Sequence, residues 1–186
     1  MEHTPFLEYN NGVCSREFYP LLKFEILGDT LLGVLLAPYG KNIRKQQRKN
    51  PKFYFFDLGV QRALARMVEY PLSPRSVEFG RAFEHLVILE AHRRNSYLRA
   101  NFRFSYLRTK DGAEIDLVAE RPGQNPIFIE IKSSSRVQEK DMRHLARFIE
   151  TEPQIQAFCF SLDPHPQKFG KIDALFWQEG LAAIGL

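Results

Sequence analysis

The chain predicts an α/β fold, a mixed central sheet flanked by helices, and three observations carry that reading. Residues 101–108, 113–120 and 127–132 alternate apolar with polar over single-strand lengths and are separated by turn signals. An amphipathic helical pattern over 76–95 precedes them, and a second, from about 139 to 151, follows. The apolar run 155–162 then reads as a buried strand. The order helix, strand, strand, strand, helix, strand implies helices packed on one sheet.

The 186 residues suit one domain, or one domain with an N-terminal extension, and are enough to bury a sizeable core. A hydrophobic content of 44%, with 16 Phe, excludes a disordered chain. The net charge of +4 and pI near 9.1 suit a nucleic-acid partner without requiring one. Cys14 and Cys159 stand far apart and read as buried free thiols; no zinc-ligand spacing is present. The polar N-terminus carries no signal-peptide pattern, and the longest apolar run, Thr30 to Tyr39, is too short to cross a membrane. A cytoplasmic protein with no membrane partner is therefore expected. No Gly-x-x-x-x-Gly-Lys-Ser/Thr phosphate loop occurs, so neither a nucleotide cofactor nor ATP hydrolysis by that route is expected.

Taken in order, residues 1–17 show little periodicity. From Phe18 to Tyr39 the apolar spacing predicts one or two short helices broken near Gly28 and Gly33. Lys41 to Lys52, KNIRKQQRKNPK, holds six basic residues in twelve and no acid. Lys41, Arg44, Lys45, Arg48 and Lys49 are candidate phosphate contacts. The same run reads equally as a solvated linker, since no aromatic side chains interleave to stack on bases. Residues 1–52 are thus expected to be an extension and basic linker, and 53–186 the α/β domain. Phe53 to Phe56 is a short strand, and Asp57 caps a helix through Val60, Leu64 and Met67 that Pro71 and Pro74 end.

The helix over 76–95 carries Phe79, Phe83, Leu86, Val87 and Glu90 on one stripe, with Glu84 at its border and Glu90, two turns on, a competing candidate for the site. Glu84 can lean into a site or pair with Arg81 or Arg94 along the helix. His85 and His92 are not at ligand spacing and read as surface residues. In 101–108, Phe102, Phe104 and Tyr106 share a face opposite Arg103 and Leu107, and Lys110-Asp111-Gly112 predicts a hairpin turn. Arg108 and Lys110 would sit at the mouth of the site described next, as phosphate contacts or as strand-end solubilisers.

In Ala113 to Glu120, Ile115, Leu117 and Ala119 fall on one face and Glu114 and Asp116 on the other. In Ile127 to Lys132, Glu130 and Lys132 point the same way. If the two strands pair as a hairpin, Asp116 lies beside Glu130, bringing two carboxylates and an ammonium together. Mg²⁺ is held by such carboxylates, and a lysine beside it can orient or deprotonate the attacking water and neutralise charge on a phosphate. Charged outward faces are also what antiparallel sheets ordinarily show to solvent. Ser133 to Ser135 then cap or precede the helix over 139–151, whose Met142, Leu145, Ala146 and Ile149 face inward. A proline-containing loop over 163–170, a last strand over 172–177 and a closing helix complete the chain.

The order of Glu84 on a helix, Asp116 on a strand and Glu130-Ile131-Lys132 on the next resembles the PD-(D/E)XK nuclease superfamily. More specifically, GRAFEHLVILEAH, LRTKDGAEIDLVAE and IFIEIKSSS, preceded by FEILGDTLLGVLLAPY and KFYFFDLGVQRAL, are similar to the DUF4143 family, from about Phe18 onward. The resemblance implies a restriction-endonuclease-like core and a DNA-binding, nuclease-like function with phosphodiester hydrolysis by Mg²⁺ or Mn²⁺. It implies Asp116, Glu130 and the Ile131 carbonyl as metal ligands, Glu84 as an auxiliary ligand or water-orienting group, and Lys132 as an aid to the attacking water. A further polar residue on the following helix would be Arg143 or His144. In that family the segment follows an AAA-type ATPase and a winged-helix module, neither of which is present here, so residues 1–52 read as a remnant of the longer architecture. That departure keeps a second class open: a non-catalytic domain whose polar face binds nucleic acid, a partner protein or another copy of the chain.

Overall fold

A computed structural model describes residues 26–40, 50–109 and 112–186. The expectations placed on Cys14, on the candidate phosphate contacts Lys41, Arg44, Lys45, Arg48 and Lys49, and on Lys110 lie outside the described residues. Eight strands make one mixed sheet: β1 (Gly33–Pro38), β2 (Lys52–Phe55), β3 (Arg103–Arg108), β4 (Glu114–Glu120), β5 (Ile127–Lys132), β6 (Gln156–Ser161), β7 (Gln167–Phe169) and β8 (Ile172–Phe176). Their spatial order is β2-β1-β3-β4-β5-β6-β8-β7. The helices among the described residues include α1 (Leu58–Leu64), α2 (Val77–Leu98), α3 (Arg143–Thr151) and α4 (Trp177–Ala183), with a 3-10 helix at Glu139–Met142. None of the helices there is long and apolar enough to cross a membrane.

The centre of the sheet follows the hydrophobic pattern. β3, β4 and β5 form an antiparallel meander, and β5, β6 and β8 run parallel. Each face carries its own core. Phe102, Phe104, Tyr106, Leu117, Ile129 and Phe160 pack with Phe83, Val87 and Ile88 of α2 and Leu181 of α4. Val118, Phe128 and Cys159 pack on the other face with Met142, Leu145 and Ile149. Cys159 is a buried free thiol, its pKa pushed up to about 12 chiefly by burial, so it stays unreactive.

Several expectations are corrected. Residues 26–29 are helical, but Gly33–Pro38 is a strand, paired antiparallel with β2 and parallel with β3. A short, almost wholly apolar run does not reveal its period, and here tertiary pairing decides it. Gly33 admits this ladder, because a Cβ there would come within 2.3 Å of the Phe53 ring. The Asp57 side chain caps α1 by accepting from Val60 N at 2.9 Å, yet α1 ends at Leu64 and leaves Met67 outside. The loop expected over 163–170 contains β7, which pairs antiparallel with β8 through a turn at Gly170, where φ is +60°. Of the two roles expected for the serines after β5, they precede the helical segment that starts at Glu139 and do not cap it. Ser134 instead closes a local turn on Arg136, and Asp141 accepts from Gln138 N at 2.9 Å to start the 3-10 helix.

Asp163 pins this return segment at the end of β6. Its carboxylate accepts from Val137 N and His165 N, both at 3.0 Å, and from Gln167 Nε2 at 2.8 Å. A buried carboxylate so bonded locks the β5–α3 connection to the β6–β7 connection.

α4 closes the first core through a glycine. A Cβ on Gly180 would lie 2.3 Å from the Phe160 ring, which is fully buried and has no room to retreat. Gly180→Ala is expected to destabilise the domain by about 1–3 kcal/mol despite alanine's better helix propensity. Chemical denaturation read by far-UV circular dichroism checks this.

Candidate functional site

Asp116 sits where the β3–β4 ladder slips. Ser105 pairs with Val118 but Leu107 pairs with Ile115, so both Asp116 and Leu117 stand opposite Tyr106. This bulge overturns the simple alternation read from the sequence: Ile115 joins the core beneath α3, whereas Leu117 and Ala119 join the core beneath α2. On the other side of β4, pairing with β5 ends at Leu117 opposite Ile129. Asp116 and Glu130 are the next residues on their strands, and with the ladder open Asp116 Oδ2 takes the Ile131 amide at 2.8 Å. Ile131, whose carbonyl the resemblance implicates, thus contributes its N–H to the site.

Glu130 is only 4% exposed, in the middle of a strand otherwise apolar up to Lys132. Its Oε1 pairs with Lys132 Nζ at 2.5 Å, while its buried Oε2 has no partner among the described residues. Burial raises the pKa of Asp116, and the charges of Glu130 and then Glu84 raise it further; the Ile131 amide and Lys132 offset this only in part. Glu130 is also shifted upward, by burial first, against the pull of Lys132 and of nearby His144. Burial disfavours the Lys132 ammonium, but Glu130 and Asp116 outweigh it and the net shift is upward. Lys132 is therefore a proton donor held in place at neutral pH, not a free base.

Glu84 approaches from α2 and is felt by both carboxylates. It does not pair with Arg81 or Arg94. Its Oε1 accepts from Tyr54 Oη at 2.6 Å and from Lys52 Nζ at 3.1 Å, and Lys52 also meets Glu114 Oε1 at 2.5 Å. Arg108 Nε approaches Glu114 Oε2 at 3.6 Å, placing Arg108 at the exposed rim of this cluster. Lys52 and Tyr54 were not singled out from the sequence. Their one signal was strand alternation after the basic run, which puts residues 52 and 54 on one side of β2.

The remaining candidates separate. Glu90 pairs with Arg93 at 2.9 Å along the helix, away from Glu84's partners. His144 lies near enough to Glu130 for its charge to act there, while Arg143 lines a groove between α3 and the β7–β8 turn. His85 and His92 are not surface residues: α2 is covered on more than its predicted stripe. His85 is buried with Nε2 2.7 Å from the Phe55 carbonyl, and burial lowers its pKa. His92 packs on the Phe104 ring and is pushed down to about 4 by burial.

Among the described residues no three His, Cys, Asp or Glu side chains form a group that could hold a metal ion. Two adjacent carboxylates, one with an unpartnered buried oxygen, nevertheless suit a hard cation of the Mg²⁺ type, which needs only one or two protein carboxylates and fills its other positions with water or phosphate.

The raised carboxyl pKa values mean that the folded chain binds protons more tightly than the unfolded one. Their contribution to stability is complete below about pH 4 and is lost as pH rises through the folded values. Asp116→Asn keeps an acceptor for the Ile131 amide and removes one charge. It is expected to raise the melting temperature at pH 7 by about 3 °C, roughly the effect of 1 kcal/mol in a domain of this size, with the gain vanishing below about pH 4. Thermal melts across that range check both the sign and the window.

Comparison with known proteins bears on the same region. The family described as Domain of unknown function (DUF4143) matches residues 79–177, a stretch that includes Glu84, Asp116, Glu130 and Lys132. Two uncharacterized proteins, Rv2008c of Mycobacterium tuberculosis and Mb2031c of Mycobacterium bovis, are each 32% identical to this chain over 111 residues. The alignment covers 60% of this chain and 24% of either relative, so the chain spans about a quarter of the curated relatives it matches. No solved structure matches the chain. With more than half of its length inside the matched stretch, the chain belongs to the DUF4143 family.

Proposed function

We propose that this domain is nuclease-like: it binds DNA and hydrolyses phosphodiesters with the aid of Mg²⁺ or Mn²⁺, on a core of the PD-(D/E)XK type. The observation that carries the reading is the placement of Asp116 beside Glu130 at the open end of the β4–β5 ladder, with one buried carboxylate oxygen unpartnered and Lys132 against the other. Asp116 and Glu130 would hold the cation. When bound, it would supply Lewis-acid polarisation of the phosphate and charge neutralisation. Lys132, kept protonated by its neighbours, donates to the phosphate and offsets charge that develops as the phosphodiester is attacked. Glu84, fixed by Tyr54 and Lys52, accepts from water on the helix side. Arg108 at the rim is suited to a flanking phosphate.

One observation favours a second reading. Glu84 and Glu114 are already paired with Lys52, as in a polar surface that binds a partner without chemistry. In that case the domain holds nucleic acid or protein on this face and cleaves nothing.

Calorimetric titration of Mg²⁺ and Mn²⁺, alongside cleavage assays on single- and double-stranded DNA, separates the two. Wild type is expected to bind a divalent ion and cleave, and Asp116→Ala to lose both by about 100-fold or more. DNA binding without cleavage at any metal concentration would favour the second reading. Cleavage that persists unchanged in Asp116→Ala would remove this site from the chemistry.

A further inference from the structure

The carboxylates of the site fall into two pairs, each attended by a lysine. Lys132 serves Glu130 beside Asp116, and Lys52 lies between Glu84 and Glu114. The second pair is assembled from three separate elements. Lys52 opens β2, where the ladder fixes it opposite Leu36; Glu84 comes from α2; Glu114 opens β4, two residues before Asp116. The Lys52 ammonium also stands over the Tyr106 ring, 5.3 Å from its centroid, and Tyr54 donates to the same Glu84 oxygen that Lys52 meets. The three charged side chains are each only about a quarter exposed. Burial disfavours the Lys52 ammonium, yet Glu84 and Glu114 outweigh it and its pKa rises.

Glu84 acts electrostatically on both Asp116 and Glu130, and without Lys52 it would form with Glu114 a second carboxylate pair that could take a divalent cation of its own, the division of labour of two-metal phosphoryl-transfer sites. We propose that Lys52 is a built-in counter-ion that takes the place of a second divalent cation, so that the site binds a single ion through Asp116 and Glu130. In this role Lys52 is a positioning residue: with Tyr54 it holds Glu84 at the edge of the ion's surroundings without letting it become part of a second metal pocket. The inference rests on the divalent-cation reading of Asp116 and Glu130, and it limits that reading to one-ion chemistry.

Titration of the full chain with Mn²⁺, following free Mn²⁺ by electron paramagnetic resonance, counts the ions directly. Wild type and Lys52→Arg are expected to bind one per chain, since a guanidinium can still bridge two carboxylates. Lys52→Met is expected to bind two, and Lys52→Met combined with Glu114→Gln to return to one. If Lys52→Met folds poorly, thermal melts supply the same answer: Mn²⁺ should then raise its melting temperature more than that of wild type, because the ion replaces the lost charge. A Lys52→Met protein that still binds one ion with wild-type affinity and shows a wild-type melting shift would overturn the role of Lys52 while leaving the one-ion site standing. Two ions bound by wild type would overturn it as well. No ion bound by any variant would remove the divalent-cation reading itself, and this inference with it.

Discussion

The repulsion between Asp116 and Glu130 is the constraint around which the open end of the sheet is arranged. Glu130 is buried in the strand, and Asp116 is drawn toward it by the Ile131 amide. Like charges at such range in a poorly solvated place cannot both ionise at ordinary cost. Lys132 supplies a compensating charge from two residues along the same strand, while Lys52, from the edge strand β2, pairs with the neighbouring Glu84 and Glu114. An apolar pair at these positions would serve packing better, since buried ionic groups seldom improve stability. The fold carries this cost at one place, while the other buried positions of β4, β5 and β6 are apolar apart from Ser161, and that contrast marks a site there.

The bulge in β4 makes the arrangement possible. A regular ladder through Tyr106 would keep β4 in strict alternation, with Ile115 on the same face as Leu117. The extra residue instead turns Ile115 toward α3 and leaves Asp116 at the point of slip, free of the regular cross-strand pairing. Asp116 then satisfies the amide of Ile131, which the ended β4–β5 ladder leaves open. One backbone irregularity thus sets the direction of the carboxylate, provides its hydrogen bond and brings it beside Glu130.

Family membership places these residues within a shared domain, but a family described by its unknown function transfers no chemistry, and the mycobacterial relatives are several times longer than the matched segment. Glu130's unpartnered oxygen, the charge state of Lys132 and the Lys52 bridge between Glu84 and Glu114 are what point to function. Site geometry is the stronger warrant here, since one fold can host many functions.

What the sequence determined by itself was local. Alternation located β3, β4 and β5; the long amphipathic period and Ser76 located α2; and the spacing of Glu130 and Lys132 put both on one side of a strand. The hairpin inferred between two neighbouring strands was enough to bring Asp116 to Glu130, because that contact spans only a short loop. The tertiary structure decided what depends on distant pairing. Gly33–Pro38 is a strand only because β2 and β3 flank it, and its apolar residues carry no period of their own. His85 is buried and His92 half-buried only because the end of β2 and the face of β3 cover sides of α2 that its own pattern leaves polar. Lys52, one cation at the end of a basic run, becomes the partner of Glu84 and Glu114 through a strand at the far edge of the sheet. Periodicity reports which way a side chain faces from its own element; which charge it meets there depends on packing between elements that the chain separates by dozens of residues.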